Sequence, residues 1–398
     1  MRITEVNLRR LTGVMPVDGL FWEARVLQPA DVYPDVARSW RSELAGQIDD
    51  TRYRVEGCFV EVGTDEGVTG LAGPVSETVA YHVAREVRPV VLGEDPRATE
   101  RIWDLLHRTL VHGRQGTSML AVSVVDCALW DLKGRWLGQP VYRLLGGTPD
   151  AFPAYASMLG FTVDDPGLVR ERALWARRQG YAAQKWFFRF GPAHGHDGYR
   201  RNVALATTLR DVLGDDYEIM FDCWQGWDLP YAVRMSDALA DLRPRWLEEC
   251  LLADRVDSYG ELRRRVRIPL AGGEHEYTRW GFRRFVDARA LDVLQPDLYW
   301  AGGLSEVLKI SALATAHDLM VVPHGTSTPT GVHFTAAQSP AHTPYQEYLV
   351  KWDEITQFFL REPVRPVDGA LSPSDRPGFG MSLDLDRAES DEVIFPAS

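Results

Sequence analysis

Three acids stand at the ends of three successive apolar runs. "IMFDCW" carries Asp222, "PRWLEEC" carries Glu248 and "IPLAGGE" closes on Glu274. Each lies 26 residues after the one before. Carboxylates are rarely buried unless paired or bound to a metal. Three of them held together would repel strongly. A divalent cation removes that repulsion, and an all-oxygen ligand set favours a hard ion, Mg2+ above all. Any one of these acids alone would read more simply as a helix cap. Three in a row, each after an apolar run, make capping the weaker account. Glu249, beside Glu248, is expected to point elsewhere, into an ion pair.

The next three apolar runs add groups for proton transfer. "VLQPD" ends in Asp297, "VVPHG" holds His324 and "YQEYL" holds Glu347. Histidine is the usual general base, and a neighbouring carboxylate raises its basicity and fixes its tautomer. Asp297 and His324 on adjacent strands would form such a dyad. Glu347 near a metal would be most useful protonated, donating to an oxyanion. "AAQKWFF" contains Lys185; strand parity places it on one face with Phe187, and Trp186 on the other. A surface lysine is the plain alternative. The Gly-rich stretch "RFGPAHGHDG" offers Arg189 and His194 as contacts for a polyhydroxylated anion. Trp224 and His275, close to candidate metal ligands in sequence, and Trp22 and Arg25 nearer the N-terminus are further substrate-contact candidates.

These side chains need a scaffold that brings successive strand ends to one rim. From residue 151 the pattern alternates. Strand-like runs fall at 151–158, 182–188, 217–222, 245–248, 268–272, 291–295, 319–323 and 345–350, with amphipathic segments between them. Eight strands with intervening helices predict a parallel sheet closed as a (β/α)8-type barrel, whose active site lies at the C-terminal strand ends. Residues 1–150 read as an α+β domain. It has a strand at the N-terminus and a strand–turn–strand over 54–73 with Asp65-Glu66-Gly67 at the turn. Helices are predicted near 76–91, 97–110 and 117–136. Residues 13–50, with Trp22, Tyr33 and Trp40, read as one long loop. The tail, 351–398, is rich in Pro and Gly and is expected to return to the N-terminal domain. The expected division is therefore 1–150, 151–350 and 351–398.

Composition excludes other classes. The 398 residues carry a formal charge of −12, with 45% hydrophobic and 25% charged residues. Nothing in that balance resembles the clustered basic surface of a nucleic-acid binder. No apolar run is long enough to span a bilayer. Four cysteines, none in a CxxC pair, fit a reducing cytoplasm rather than a disulfide scaffold.

The residues in this order resemble the enolase superfamily, mandelate racemase subgroup, over the whole chain. "DCALWDLKGRWLGQPVYRLLGG" is similar to its N-terminal domain. "FDCW", "WLEEC", "GGEH", "QPD", "GGLSE", "PHG" and "RPGFG" are similar to its barrel and tail. "KWFFRFGPAHGHDG" and "VVPHGTS" most resemble its L-rhamnonate dehydratase group. The resemblance implies an α/β fold, a (β/α)7β barrel with an α+β capping domain. It implies Asp222, Glu248 and Glu274 as Mg2+ ligands, Asp297 and His324 as the acid/base dyad, and Glu347 near the substrate carboxylate. It further implies Mg2+-dependent dehydration of a sugar acid to a 2-keto-3-deoxy acid, with L-rhamnonate or a related aldonate as substrate, in a homo-oligomer, dimeric or octameric. Where racemase members carry a second lysine on strand two, this chain has Phe187, which disfavours racemisation. Epimerisation or other α-proton chemistry is the alternative reaction.

Overall fold

The computed structural model describes residues 1–33 and 46–396; Trp40 and Arg41 lie outside them. An antiparallel sheet is built from β1 (Ile3–Pro16), β2 (Gln47–Asp49), β3 (Arg52–Thr64) and β4 (Thr69–Val75). The segment expected to be a loop is shorter than 13–50. β1 continues to Pro16, paired with Arg52, and β2 pairs with β3. Gly13 and Pro16 disguise the strand in the sequence because both are poor strand formers. Helices α1 (Glu77–His82), α2 (Thr99–Thr109) and α3 (Thr117–Leu137) follow, and a short helix, Val141–Leu144, precedes the second sheet. The helix expected over 76–91 is broken. A π-helical turn, Val83–Val87, separates α1 from a short helix, Arg88–Val91. Pro89, without an N–H to donate, sits where the helix restarts.

α3 is buried on nearly every side. It joins the parts through two buried carboxylates. Asp131 accepts from the Leu71 N–H of β4 (2.8 Å) and the Phe379 N–H of the tail (2.7 Å). Asp126 accepts from the N–H and hydroxyl of Ser305 (2.9 and 2.6 Å). Where β4 crosses α3, a Cβ on Gly70 would lie 2.1 Å from the Ala128 carbonyl, so only glycine permits the approach.

The second sheet is parallel. Its strands are β5 (Phe152–Ser157), β6 (Ala183–Phe187), β7 (Glu218–Asp222), β8 (Leu247–Glu248), β9 (Leu270–Gly272), β10 (Val293–Leu294), β11 (Met320–Val321) and β12 (Gln346–Leu349). A helix fills each gap: α4 (Pro166–Arg178), α5 (Gly195–Leu213), α6 (Leu229–Leu239), α7 (Val256–Arg265), α8 (Thr278–Asp287), α9 (Leu304–Thr315) and α10 (Thr328–Thr335). Seven βα units and a final strand make the (β/α)7β pattern. Local signals set the helix starts. Asp165 caps α4 by accepting from Gly167 and Leu168, and Asp228 caps α6 by accepting from Tyr231. The ladder runs from β11 through β10, β9, β8, β7, β6 and β5 to β12. It is not closed between β11 and β12. The Val321 N–H donates instead to the His342 carbonyl (2.8 Å).

α11 (Trp352–Thr356) opens the tail. Then β13 (Ala370–Leu371) pairs with β5, and β14 (Ser390–Ile394) pairs with β1. Among the described residues no helix is long and apolar enough to cross a membrane. All four cysteines are buried and free.

Strand parity places the site. Tyr155, Ala183, Met220, Trp246, Ala271, Val293, Val322 and Tyr345 form one buried cluster, a single residue from each of the eight runs. Inward-facing residues recur every second position, so the next layer toward the C-terminal rim is two residues on. That layer reads Ser157, Lys185, Asp222, Glu248, Gly273, Gln295, His324 and Glu347. An apolar floor thus carries a polar layer, and at β9 the turn at Gly273 (φ +114°) delivers Glu274 in its place.

Candidate active site

Asp222 and Glu248 are paired neighbours across the β7–β8 ladder. With Glu274 they bring ligand oxygens to within 4.8 Å of one another, and all three are buried. Lys185, 1% exposed, lies beneath them inside the barrel. Its Nζ is 3.1 Å from Asp222 Oδ2 and 2.8 Å from Glu347 Oε1, and it also donates to Glu248 Oε1. The surface alternative for this lysine is therefore excluded. Three acids on one ammonium, with Glu274 beside them, leave an excess of negative charge. Burial pushes Asp222 up to about 6, Glu248 up to about 8 and Glu274 up to about 7, although Lys185 pulls all three down and His324 also pulls Glu274 down. A buried, under-compensated oxygen set of this kind fits a hard divalent cation.

Glu248 is held from behind. The Trp246 indole N–H and the Gln295 amide both donate to its Oε2, at 2.9 and 2.8 Å. That leaves Oε1 facing Lys185 and the cluster. Glu249 turns away through a left-handed backbone (φ +45°), and its Oε2 meets His275 Nδ1 at 2.8 Å. Glu249, Glu274 and His275 also form a second group of possible metal ligands.

His324 Nδ1 lies 2.9 Å from Asp297 Oδ2. Asp297 is fixed by the Tyr299 N–H on Oδ1 (2.7 Å) and by the Thr326 hydroxyl on Oδ2. The other imidazole nitrogen, Nε2, is 3.3 Å from Glu274 Oε2. Burial opposes charge on His324, but Glu274 and Asp297 outweigh it and raise its pKa to about 10. Glu347 differs from the expectation of a protonated acid. Burial would push it up, yet the charges of Lys185 and His324 outweigh burial and hold it below the usual carboxylate range. The ammonium of Lys185, 2.8 Å from its Oε1, and the nearby His324 favour the ionised form of Glu347.

A cavity of about 550 Å3 opens above this layer. Asp222, Glu274 and His324 line it, as do Trp22, Arg25 and Trp224. Glu248, Lys185, Asp297 and Glu347 support it from below, and His275 stands beside it between Trp224 and Trp300 (ring centroids 6.1 and 5.7 Å). Arg189 and His194 are not among the lining residues. The His194 ring accepts the Gly191 N–H (3.1 Å) and closes its own turn. Other lining residues were not singled out from the sequence. Trp300 packs at a tilt of 49° against His324 with ring centroids 5.0 Å apart, Thr326 holds Asp297, and Trp352 stands where the tail begins. For Thr326 a signal existed, since it follows His324 in the quoted "VVPHGTS". For Trp352 there was none.

Known proteins are similar to this chain in sequence and fold. Residues 49–146 match the mandelate racemase/muconate lactonizing enzyme N-terminal domain, and residues 168–388 the enolase C-terminal domain-like family. An L-rhamnonate dehydratase of Saccharopolyspora erythraea is 38% identical over 336 residues, 81% of this chain and 82% of that one. The solved structure of rhamnonate dehydratase from Gibberella zeae complexed with Mg is similar with a TM-score of 0.82 and 30% identity, covering 97% of this chain and 95% of that one. L-talarate dehydratase from Polaromonas sp. JS666, complexed with Mg and L-glucarate, gives a TM-score of 0.78 at 27% identity, with 98% of each chain covered. The chain belongs to the enolase superfamily, in its mandelate racemase/muconate lactonizing enzyme branch.

Proposed function

We propose that the protein is a Mg2+-dependent acid sugar dehydratase, converting an aldonate, L-rhamnonate or a related acid, to a 2-keto-3-deoxy acid. The observation that carries this reading is the placement of His324 Nε2 3.3 Å from Glu274, with Asp297 behind the ring. A base so placed faces the α carbon of any acid whose carboxylate is drawn to the Asp222–Glu248–Glu274 cluster. When bound, Mg2+ supplies positive charge that acidifies the α C–H of the substrate and takes up the Glu274 charge that otherwise keeps His324 protonated.

The chain's own residues then divide the work. His324 Nε2 takes the α proton while Asp297 holds Nδ1. Lys185, buried beneath the cluster, adds positive charge to the layer under the carboxylate oxygens on which negative charge develops. Phe187 lines the cavity where a second lysine would be needed to act from the opposite face. His324 therefore returns its proton to the departing 3-hydroxyl on the same face, a syn elimination. The geometry does not favour epimerisation, which needs a base on each face. Soluble sugar acid is the partner this site requires; the homo-oligomeric state and the cytoplasmic location expected from the sequence remain part of this proposal, as do the boundaries 1–150, 151–350 and 351–398.

The test is a panel of sugar acids incubated with Mg2+ and assayed for 2-keto-3-deoxy acid with a carbonyl reagent. Wild type should give product, and His324→Asn should lose about 10²–10⁴-fold in turnover while still binding Mg2+. Turnover retained in His324→Asn would remove the histidine from the centre of the mechanism. α-Proton exchange with solvent deuterium and no loss of water would replace dehydration by epimerisation.

A further inference from the structure

We propose that the cleft between α8 and the end of α2, with the loop after it, is a binding site for a small organic phosphate, separate from the metal-ligand cluster. The cavity there measures about 500 Å3, a size that suits a small molecule. His107, His112 and Arg114 reach it from α2 and the loop, and Arg284 from α8. Tyr277 and Trp280 give it an aromatic wall. Among the described residues that line it, none is acidic.

The arginines set this cleft apart. The chain carries a formal charge of −12, and the other arginines of α8 are paired. Arg279 meets Glu306 and Arg283 meets Asp287, each at 3.1 Å. Arg284, on the same helix, makes no side-chain hydrogen bond or ion pair among the described residues. It acts only at a distance on Glu276, which is buried and already accepts the Tyr277 N–H (2.7 Å). Arg114 spends its Nε on the His107 carbonyl (3.2 Å), and both its terminal nitrogens are without a partner among the described residues.

Positive charge is thus concentrated in one cleft of an acidic protein, and His107 registers it. Its ring stacks on Trp103 and Trp280, with centroids 5.0 and 4.7 Å away. Burial holds its pKa below the ordinary value, and the charges of Arg114 and Arg279 lower it further. A bound anion reverses that repulsion. Two guanidinium forks suit an oxyanion that accepts several N–H groups at once, and a phosphate offers three oxygens and a charge of about −1.5 to −2 at pH 7. The volume beyond the cations leaves room for an organic body against Tyr277 and Trp280.

The experiment is calorimetric titration of the Mg2+-loaded protein with phenyl phosphate, inorganic phosphate and benzoate. Phenyl phosphate should bind once per chain and tighter than the other two. Arg284→Gln and Arg114→Gln should each weaken it about tenfold or more, with Mg2+ affinity and thermal midpoint unchanged. Both arginines are exposed and lie on different elements, so either variant serves if the other fails to fold. His324→Asn should leave phenyl phosphate binding as it is. No binding, or equal binding in wild type and both arginine variants, would overturn the inference. So would benzoate binding as tightly as phenyl phosphate, or loss of binding in His324→Asn alone, which would move the ligand to the metal-ligand cluster. The inference does not depend on the dehydratase reading, and silence in the sugar acid assay leaves this titration to decide it.

Discussion

Replacing Gln295 by leucine isolates what the polar layer does for metal binding. Gln295 is 1% exposed and donates at 2.8 Å to Glu248 Oε2, while its own Oε1 has no partner. Leucine keeps most of the volume. It removes one hydrogen bond to a charged acceptor, worth about 1.5–3 kcal/mol, and also removes one unsatisfied buried oxygen, which offsets the loss in stability. The thermal midpoint should therefore hardly move. Metal affinity should fall. Loss of a partner behind a metal ligand costs roughly 10–100-fold, or about 1.4–2.7 kcal/mol, the same range as the hydrogen bond. The pH dependence gives a second signature. Burial already lifts Glu248 to about 8, so at pH 7 a proton competes with the metal for this carboxylate. Losing a donor to the ionised form raises that pKa further. The affinity deficit should thus be largest near pH 7 and narrow toward pH 9. Calorimetric titration of wild type and Gln295→Leu with Mg2+ at both pH values measures it. A variant with native thermal stability and a Mg2+ Kd within about twofold of wild type would refute the idea that this layer orients Glu248.

Two further outcomes are expected. Gly160 has φ +79°, and a Cβ there would lie 2.0 Å from Trp22 Cε3. Gly160→Ala should destabilise the fold by about 1–3 kcal/mol and raise KM with Mg2+ affinity unchanged, checked by thermal unfolding, kinetics and titration; an unaltered KM would separate Trp22 from the substrate. His333 is fully buried, its Nδ1 accepts the Tyr142 N–H at 3.2 Å, and burial pushes its pKa down to about 3. Its folded pKa is depressed, so the unfolded chain binds the proton more readily. The stability it contributes is complete above about pH 6.5 and is lost as pH falls toward 3, by roughly 1.4 kcal/mol per pH unit. His333→Gln, whose carbonyl can still accept from Tyr142, should show a flatter fall in thermal midpoint between pH 6.5 and 4; parallel curves for the two proteins would count against the histidine.

The sequence by itself determined the βα repeat and the order of the chemical groups along it. Asp222, Glu248, Glu274, Asp297 and His324 were legible because each ends an apolar run, and a parallel barrel gathers all such ends at one rim. Strand parity put Lys185 on one face with Phe187, and only the tertiary structure made that face the inside. What the spacing could not convey was anything set by contacts between distant segments. Gln295 behind Glu248, Trp352 beside Trp22 and Asp131 linking β4 to the tail depend on packing between elements far apart in the chain. The true length of β1 was hidden because Gly13 and Pro16 carry little strand propensity, and only pairing with β3 keeps them extended. The charges that face Glu347 were likewise set by tertiary structure, for an electrostatic reason. Burial alone favours the neutral acid, and it takes the nearby charges of Lys185 and His324, from two other strands, to reverse that preference.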